Sequence, residues 1–316
     1  MQPQTRSRVE GMSTHTLSAS TIATELGAER TGDDVVVTRP APLSQAARGE
    51  LTFVLDPVAH AEAAERALDE GAVLLAPLGY ERMRPSSGAL LLVENPRAAF
   101  GATISRHFAR KAQAGIASTA VVHPTAVISP SASIGEFTVI REGVTIAADV
   151  EVRDHVVIGQ DVHIGASSLI KSHAVIGEEG FGMERDAAGD YMRIPHIGSV
   201  VIAEHVEVGA FATVCSGTIT PTRIADHTKL DDHVHIAHNC QIGRNVIITA
   251  GVVFSGSVTV EDDAWIGPNS SIIQGVTIER GSLLGIGAVA LTSVPSFEVR
   301  SGNPARRLRT VSEGDR

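Results

Sequence analysis

Isoleucine, valine, leucine or phenylalanine recurs every sixth residue through most of the C-terminal two-thirds of this chain. The first run is Val122, Ile128, Ile134, Ile140, Ile146, Val152, Ile158, Ile164, Ile170 and Ile176, without a slip. The period resumes as Ile202, Val208 and Val214, shifts once, and continues as Ile224, Leu230, Ile236, Ile242, Ile248, Phe254, Val260, Ile266, Ile272, Ile278 and Leu284. A helix repeats every 3.6 residues and an alternating strand every two, whereas a strict six-residue period is that of a hexapeptide β-helix. Each hexad makes one flat side, three sides make a coil of eighteen residues, and the recurring side chain points inward onto its equivalents in neighbouring coils. Each such burial contributes roughly 1.5–3 kcal/mol, opposed by chain entropy. Small residues follow the inward one at Gly135, Gly159, Gly165, Gly177, Gly243 and Gly267, and at Ala147, Ala203, Ala225 and Ala237. They mark corners with little room for a side chain, where glycine also tolerates unusual backbone angles. A sandwich whose strands merely shared a spacing would not hold register through so long a run.

The 316 residues are 43% hydrophobic, enough for two domains and a large core. Aromatic residues make up only 3%, as a narrow interior that selects aliphatic side chains requires. A formal net charge of −10 argues against phosphate-backbone binding as the main role, so no nucleic acid partner is expected. No apolar stretch approaches the length of a transmembrane helix. The opening MQPQTRSRVEGMSTH lacks the apolar segment of a secretory signal. Residues 1–15 are expected to be a disordered extension, with Met12 a candidate start. Cys215 and Cys240 form no ligand or redox motif, so free thiols in a reducing cytoplasm are expected.

Residues 16–113 have the pattern of a small α/β domain. Thr16 or Ser18 caps a helix through Leu26, which Gly27 ends. Glu50–Leu55 is a predicted strand, Pro57–Gly71 an alanine-rich helix opening with proline, and Ala72–Ala76 and Ala89–Val93 are apolar runs typical of buried parallel strands. Pro96–Ala112 is a final helix, and Lys111–Ser118 the linker. The β-helix is predicted over 119–290, broken by the polar segments Glu178–Ser199 and Ser216–Arg223. Loops ejected from a regular solenoid usually line its working face. The tail, 291–316, is expected to carry at most one short helix.

Several motifs are specific: ELTFVLDP (50–57), LLVENPRAAF (91–100), GEEGFGM (177–183), RIPHIG (193–198) and LDDHVHIAHNCQIG (230–243). With the α/β domain, the segment HPTAVISPSASIG and the hexapeptide repeat, the chain resembles the UDP-3-O-acylglucosamine N-acyltransferases of lipid A biosynthesis over roughly residues 16–305. The resemblance implies an α/β domain followed by an all-β left-handed parallel β-helix, and a homotrimer with active sites between adjacent prisms. It also implies acyl transfer from a thioester, acyl carrier protein or acyl-CoA, to an amino sugar on a nucleotide. No bound cofactor and no metal are expected. The chain departs from the family pattern at Asp56 and Ala59, where asparagine and tyrosine are usual, at Val276, where histidine is usual, and at Asp232, where asparagine is usual. Its tail lacks a counterpart of the helical extension that meets the carrier protein. SGNPAR instead resembles the ending of acetyl-CoA-dependent acetyltransferases.

Making an amide from a thioester needs a base for the amine proton and donors for the oxyanion. Histidine suits the first task, and the IAHN motif of the family sets it at His238. Gly256 lies eighteen residues on, one coil and roughly 4.8 Å away, where its N–H is open to serve as oxyanion donor. By the same resemblance Phe53 and Asp56 meet the base of the nucleotide. Phe181 and Gly182 either cover the sugar or the base of the nucleotide, or anchor their loop, with Phe181 packing on the prism. Asp231 and Asp232 orient His238, contact the sugar, or form a solvated corner pair. Arg306, Arg307 and Arg309 either meet phosphates of the donor or belong to a frayed tail. Two other readings stay open. His233 and His238, with His196 or His205 from another chain, resemble the zinc ligands of γ-class carbonic anhydrases, which need three protein ligands and an open position. A non-catalytic sugar-binding trimer is the second.

Overall fold

The computed structural model describes residues 17–80 and 87–312. The expected disordered extension, with Met12 and the capping candidate Thr16, lies outside the described residues, as do residues 313–316. The chain divides into two compact units, Met1–Lys111 and Ala112–Arg316.

The first unit holds helices α1 (Ala19–Leu26), α2 (Ala61–Asp69) and α3 (Pro96–His107) and strands β1 (Glu29–Gly32), β2 (Arg39–Pro40), β3 (Glu50–Phe53), β4 (Val73–Pro77) and β5 (Ala89–Val93). The strand order is β1-β5-β4-β3-β2. All neighbours are parallel except β1, which runs antiparallel to β5. Ser18 caps α1 by accepting the Thr21 N–H, and Gly27 ends it in the left-handed conformation, φ 62°. Asn95 caps α3 through the Ala98 N–H. Helix α2 starts at Ala61, not Pro57. Asp56 Oδ1 accepts the N–H groups of Val58 at 3.0 Å and Ala59 at 2.9 Å, which ties residues 57–60 into turns before the helix begins. Strands β1 and β2, ERTG and RP, carry no apolar run and left no periodic trace in the sequence.

The second unit is a parallel β-helix of two-residue strands on three faces. Face I, of nine strands, runs from Val121–Val122 to Val289–Ala290. Face II, of eight, runs from Val127–Ile128 to Thr277–Ile278. Face III, of eleven, runs from Gly115–Ile116 to the tail. Within the uninterrupted runs, successive coils pair eighteen residues apart, as in Val139 with Val157 and Thr145 with His163. Every recurring residue from Ile134 to Leu284 is buried, and Val122 and Ile128 are partly buried against the same core.

A second inward position lies two residues before each recurring one, as at Val144, Val150, Val156 and Val162. Between them one side chain points out, as period-two alternation across a strand demands. Where this second position is polar it is satisfied locally. Thr138 Oγ1 donates to Arg153 O at 2.7 Å and Thr228 Oγ1 to Gly243 O at 2.7 Å. Val276 occupies such a position, 9% exposed within the apolar core. A larger polar ring at that backbone site would have to displace core, so valine is a packing choice here.

The glycines after the inward residue are required by space rather than by angle. Apart from Gly177, none of them has a positive φ. A Cβ on Gly135 would stand 2.6 Å from Arg153 C, and one on Gly165 2.5 Å from Ala203 C, so the next coil excludes it. The left-handed residue falls two places later, at Phe137 (57°), His155 (58°), Asp161 (55°) and Asn239 (62°).

Two segments leave the prism at the corner between faces I and II. The first contains an antiparallel hairpin, Met183–Arg185 with Tyr191–Arg193. The second ends earlier than expected: Thr222 is already a fully buried strand residue, paired with Val200. The linker is also shorter, since Gly115–Ile116 already pairs with Ser133–Ile134. The tail forms strands and not a helix: Glu298–Ser301 adds to Leu283–Leu284 and turns back antiparallel as Arg306–Thr310. No helix among the described residues is long and apolar enough to cross a membrane.

Candidate active site

His238 follows the strand His235–Ile236 and stands at the corner from which both loops depart. Gly256 lies one coil on, after Val253–Phe254, and the Ser257 N–H donates to His238 O at 2.9 Å. The contact is close: a Cβ on Gly256 would stand 2.6 Å from His238 Nε2. Gly256 N–H has no acceptor among the described residues. The arrangement therefore presents an imidazole edge and a free backbone donor side by side, the pair that proton transfer and oxyanion binding call for.

Asn239 fixes the other side of the ring. Its Oδ1 accepts the Thr218 N–H at 2.8 Å, which turns its Nδ2 toward Thr218 Oγ1 at 3.2 Å and His238 Nδ1 at 3.1 Å. Thr218 belongs to the second loop, so that loop holds the residue that holds His238. The first loop contributes His196, only 7% exposed, its ring centroid 5.0 Å from that of His238. Burial lowers the His238 pKa below the ordinary imidazole value, and the neighbouring His196 lowers it further. The thiols of Cys215 and Cys240 are both raised to about 11 by burial, which keeps them protonated and inert. The sequence offers His196 only as a candidate zinc ligand from another chain, and Asn239 only as a member of the IAHN motif; the structure sets both beside His238 within one chain, although His196 lies forty-two residues away across an insertion.

An open groove of about 710 Å³ extends from this point toward the N-terminal coils. Arg141, Glu142, Gln160, Asp161 and Glu178 line it, with His196 where it nears His238. These residues recur at eighteen-residue spacing along one corner (142, 160, 178), a pattern readable in the sequence once the corner is known.

The other expected residues fall elsewhere. Asp231 and Asp232 precede His238 by one hexad and stand on the next corner, between faces III and I, so within one chain they do not orient it. Asp232 instead accepts the Ala210 N–H at 2.7 Å and approaches Lys171 Nζ at 3.4 Å; these hold its carboxyl below the usual range. On that same corner Phe137, His155, His173, Phe211 and His233 stack in a ladder with centroids 4.7–5.2 Å apart. His233 therefore stacks on Phe211 instead of converging with His238, and His205 stacks with His227 on the third corner, 4.8 Å apart. Among the described residues no three His, Cys, Asp or Glu side chains gather as a metal ion would require.

Phe181 is 82% exposed and does not anchor its loop on the prism; Gly180 and Gly182 lie against the two histidine rings. Arg306, Arg307 and Arg309 lie on the last tail strand, five strand steps along face III from the level of His238, roughly 24 Å at about 4.8 Å each. Arg307 pairs with Glu298 at 3.2 Å. In the first unit, Phe53 packs on Phe100 with centroids 4.8 Å apart and lines a pocket of about 420 Å³ that Asp56 also borders.

Residues 221–256 match the family model "Bacterial transferase hexapeptide (six repeats)". The UDP-3-O-acylglucosamine N-acyltransferase of Polynucleobacter asymbioticus is 31% identical over 244 residues, 68% of each chain. The chain belongs to this family. A further relative, UDP-3-O-acylglucosamine N-acyltransferase 2 of Rhodopseudomonas palustris, is 38% identical over 132 residues, 42% of this chain and 35% of its own length. The chain thus spans between about one third and two thirds of the length of these relatives. Among solved structures, the UDP-N-acetylglucosamine acyltransferase of Francisella novicida superposes with a TM-score of 0.58 at 27% identity, over 64% of this chain and 71% of that one.

Proposed function

We propose that the protein transfers an acyl group from a thioester to the amine of a nucleotide-linked amino sugar, the reaction named for its family and one belonging to lipid A biosynthesis. The observation that carries this reading is the contact between His238 and Gly256 at one-coil register. His238 takes the proton as the amine attacks the thioester carbon, and the free Gly256 N–H faces the oxygen on which charge develops. Collapse of that intermediate forms the amide and breaks the C–S bond, and the departing sulfur takes the proton back from His238.

Base action at Nε2 requires the ring hydrogen on Nδ1. Turning the Asn239 amide over would then present Oδ1 to that hydrogen, at the cost of the Thr218 bond. The lowered pKa of His238 supports a ring that is neutral, and so competent as a base, at physiological pH.

Phe53 and Asp56 are proposed to meet the nucleotide base at their pocket. Phe181 and Gly182 are proposed to cover the sugar. Asp231 and Asp232, on the neighbouring corner, would reach a site only across an interface between chains, which favours a homotrimer with the sites between prisms. Arg306, Arg307 and Arg309 are proposed to meet phosphates of the donor, whose extended pantetheine arm bridges the distance to His238.

Thiol release from acyl-CoA and from acyl carrier protein, measured with UDP-linked amino sugars and with the same sugars N-acetylated, tests the reading. Release that depends on a free amine is expected. Equal release with blocked and free amines would overturn it.

A further inference from the structure

His196 is out of character for a residue on a polar loop. The segment around it is exposed, with Ile197 80% accessible and Phe181 82%, yet His196 itself is only 7% exposed. Its Nδ1 is buried and finds no hydrogen-bond partner among the described residues. A buried, unpartnered ring nitrogen costs stability that an apolar side chain of similar size would not. Packing alone therefore does not account for a histidine here.

Its surroundings are built to hold it. The imidazole lies 5.0 Å from that of His238, with the planes at 53°. Two glycines pass close against the rings. A Cβ on Gly180 would stand 3.1 Å from His238 Cδ2 and 3.2 Å from His196 Nε2, and one on Gly182 would stand 2.9 Å from His196 Cε1. Immediately after His196 the chain is pinned to the second loop: Ile197 N–H donates to Thr218 O and Gly198 N–H to Gly217 O, both at 3.0 Å. Thr218 in turn fixes Asn239, which fixes His238. Both loops thus close one circuit around the two imidazoles.

Charged and titratable groups approach the pair from the first loop and from the prism. On the first loop are Glu178 and Glu179, the latter 3.5 Å from Arg193, whose Nη1 also donates to Gly180 O at 3.1 Å. On the prism are Arg141, Glu142 and Asp161, which line the same groove as His196, and Cys215 and Cys240, both held as neutral thiols by burial. The basic side chain packed against the His238 ring is His196, and a positive charge on one of two touching imidazoles disfavours one on the other.

We propose that His196 is a positioning residue for His238: it seats the ring beneath the Gly180–Gly182 strap and disfavours a second positive charge beside itself, so that His238 meets the amine as a neutral acceptor. The proposal rests on the reading of His238 as the base. A burial cost is thereby exchanged for control of the proton-accepting group, and the insertion that breaks the repeat has a chemical purpose beyond covering substrate.

The experiment is a pH profile of kcat/KM for the full-length wild-type protein and for His196→Gln and His196→Phe, the second keeping a ring of similar shape if glutamine fails to fold. The acid limb should move to higher pH in both variants, while the plateau at high pH changes far less. NMR titration of the His238 ring in the unliganded proteins should show the same upward displacement. Profiles and titrations that superimpose on wild type, apart from a constant factor, would overturn the proposal and leave His196 a packing residue. His238→Ala separates the two readings. If that variant turns over like wild type, the base assignment falls and this proposal with it. If it is inactive while the acid limb of the His196 variants stays in place, only this proposal falls.

Discussion

Two corners of the same prism use one backbone pattern for different ends. Between faces III and I the repeat runs without interruption, and the left-handed position carries Phe137, His155, His173, Phe211 and His233 in a stack. Between faces I and II the repeat is broken twice, the left-handed position carries Asp161, Asn239 and Ser257, and the ejected loops gather His196 and His238. Regular coils offer identical side chains identical surroundings, which suits stacking and burial. Chemistry needs unlike groups at one point, and the prism obtains them by letting chain out where the coil would otherwise simply repeat. Histidine illustrates the contrast, being a stacking surface on one corner and a candidate base on the other.

The contrast is broken most directly at His238. His238→Ala should lower turnover by about 10²–10⁴-fold, the usual worth of general-base catalysis, with melting behaviour close to wild type. In the wild type the acid limb should lie below the ordinary imidazole value of about 6.5, because a base with a lowered pKa stays neutral to lower pH. Wild-type turnover in the purified variant, or an acid limb above that value, would remove chemistry from this corner.

Gly256→Ala is the next largest effect. The added methyl would meet the His238 ring at 2.6 Å from Nε2 and must displace it. A displacement of this kind should cost roughly 10²-fold in turnover, with little change in unfolding midpoint since Gly256 has no positive φ. Full activity would show that the ring and this backbone donor do not act together.

On the uninterrupted corner the expected effect is on stability. Phe211 stacks between His173 and His233 at 4.7 and 5.2 Å, so Phe211→Ala should cost about 0.5–1.5 kcal/mol beyond its area burial, read from urea unfolding. A cost near zero would mean that the ladder is tolerated and not stabilising.

The smallest effect is expected at Asp232. Its carboxyl is held below the usual range by the Ala210 N–H and then by Lys171, and the side chain is 45% exposed. Asp232→Ala should therefore cost less than about 1 kcal/mol at neutral pH. A lowered carboxylate pKa contributes stability above its unfolded value of about 3.9, and that contribution is lost as pH falls through the folded value. The difference between variant and wild type should accordingly shrink in acid. A gap that persists there would assign the loss to packing.

Much of this molecule was legible in its residues, because a solenoid is nearly one-dimensional. Coil pairing, the buried set from Ile134 to Leu284 and the closeness of Gly256 to His238 all follow from counting in sixes and eighteens. The same arithmetic separates Asp231 and Asp232 from His238, for residues a single hexad apart occupy different corners. The need for a small residue at Gly135 and Gly165 was legible as a lack of room at the corner, but the atoms that take up that room were not, since they belong to the next coil. In the first unit, capping by Ser18 and the run Ala89–Val93 were local signals, whereas the turn that delays α2 depends on which N–H groups the Asp56 carboxylate reaches.

The sequence by itself determined the repeat and the three-sided coil and put His238 forward as the candidate base, since each depends on periodicity or on a short motif whose members are neighbours in the chain. The tertiary structure alone decided that His196 meets His238, that Thr218 holds Asn239, that Val276 faces inward and that the tail returns as a strand pair. Those contacts join segments whose separation is set by insertions rather than by the period. Their geometry depends on how each loop closes back on the prism, where the free energy is decided by side-chain shape and hydrogen bonding that no one-dimensional spacing encodes.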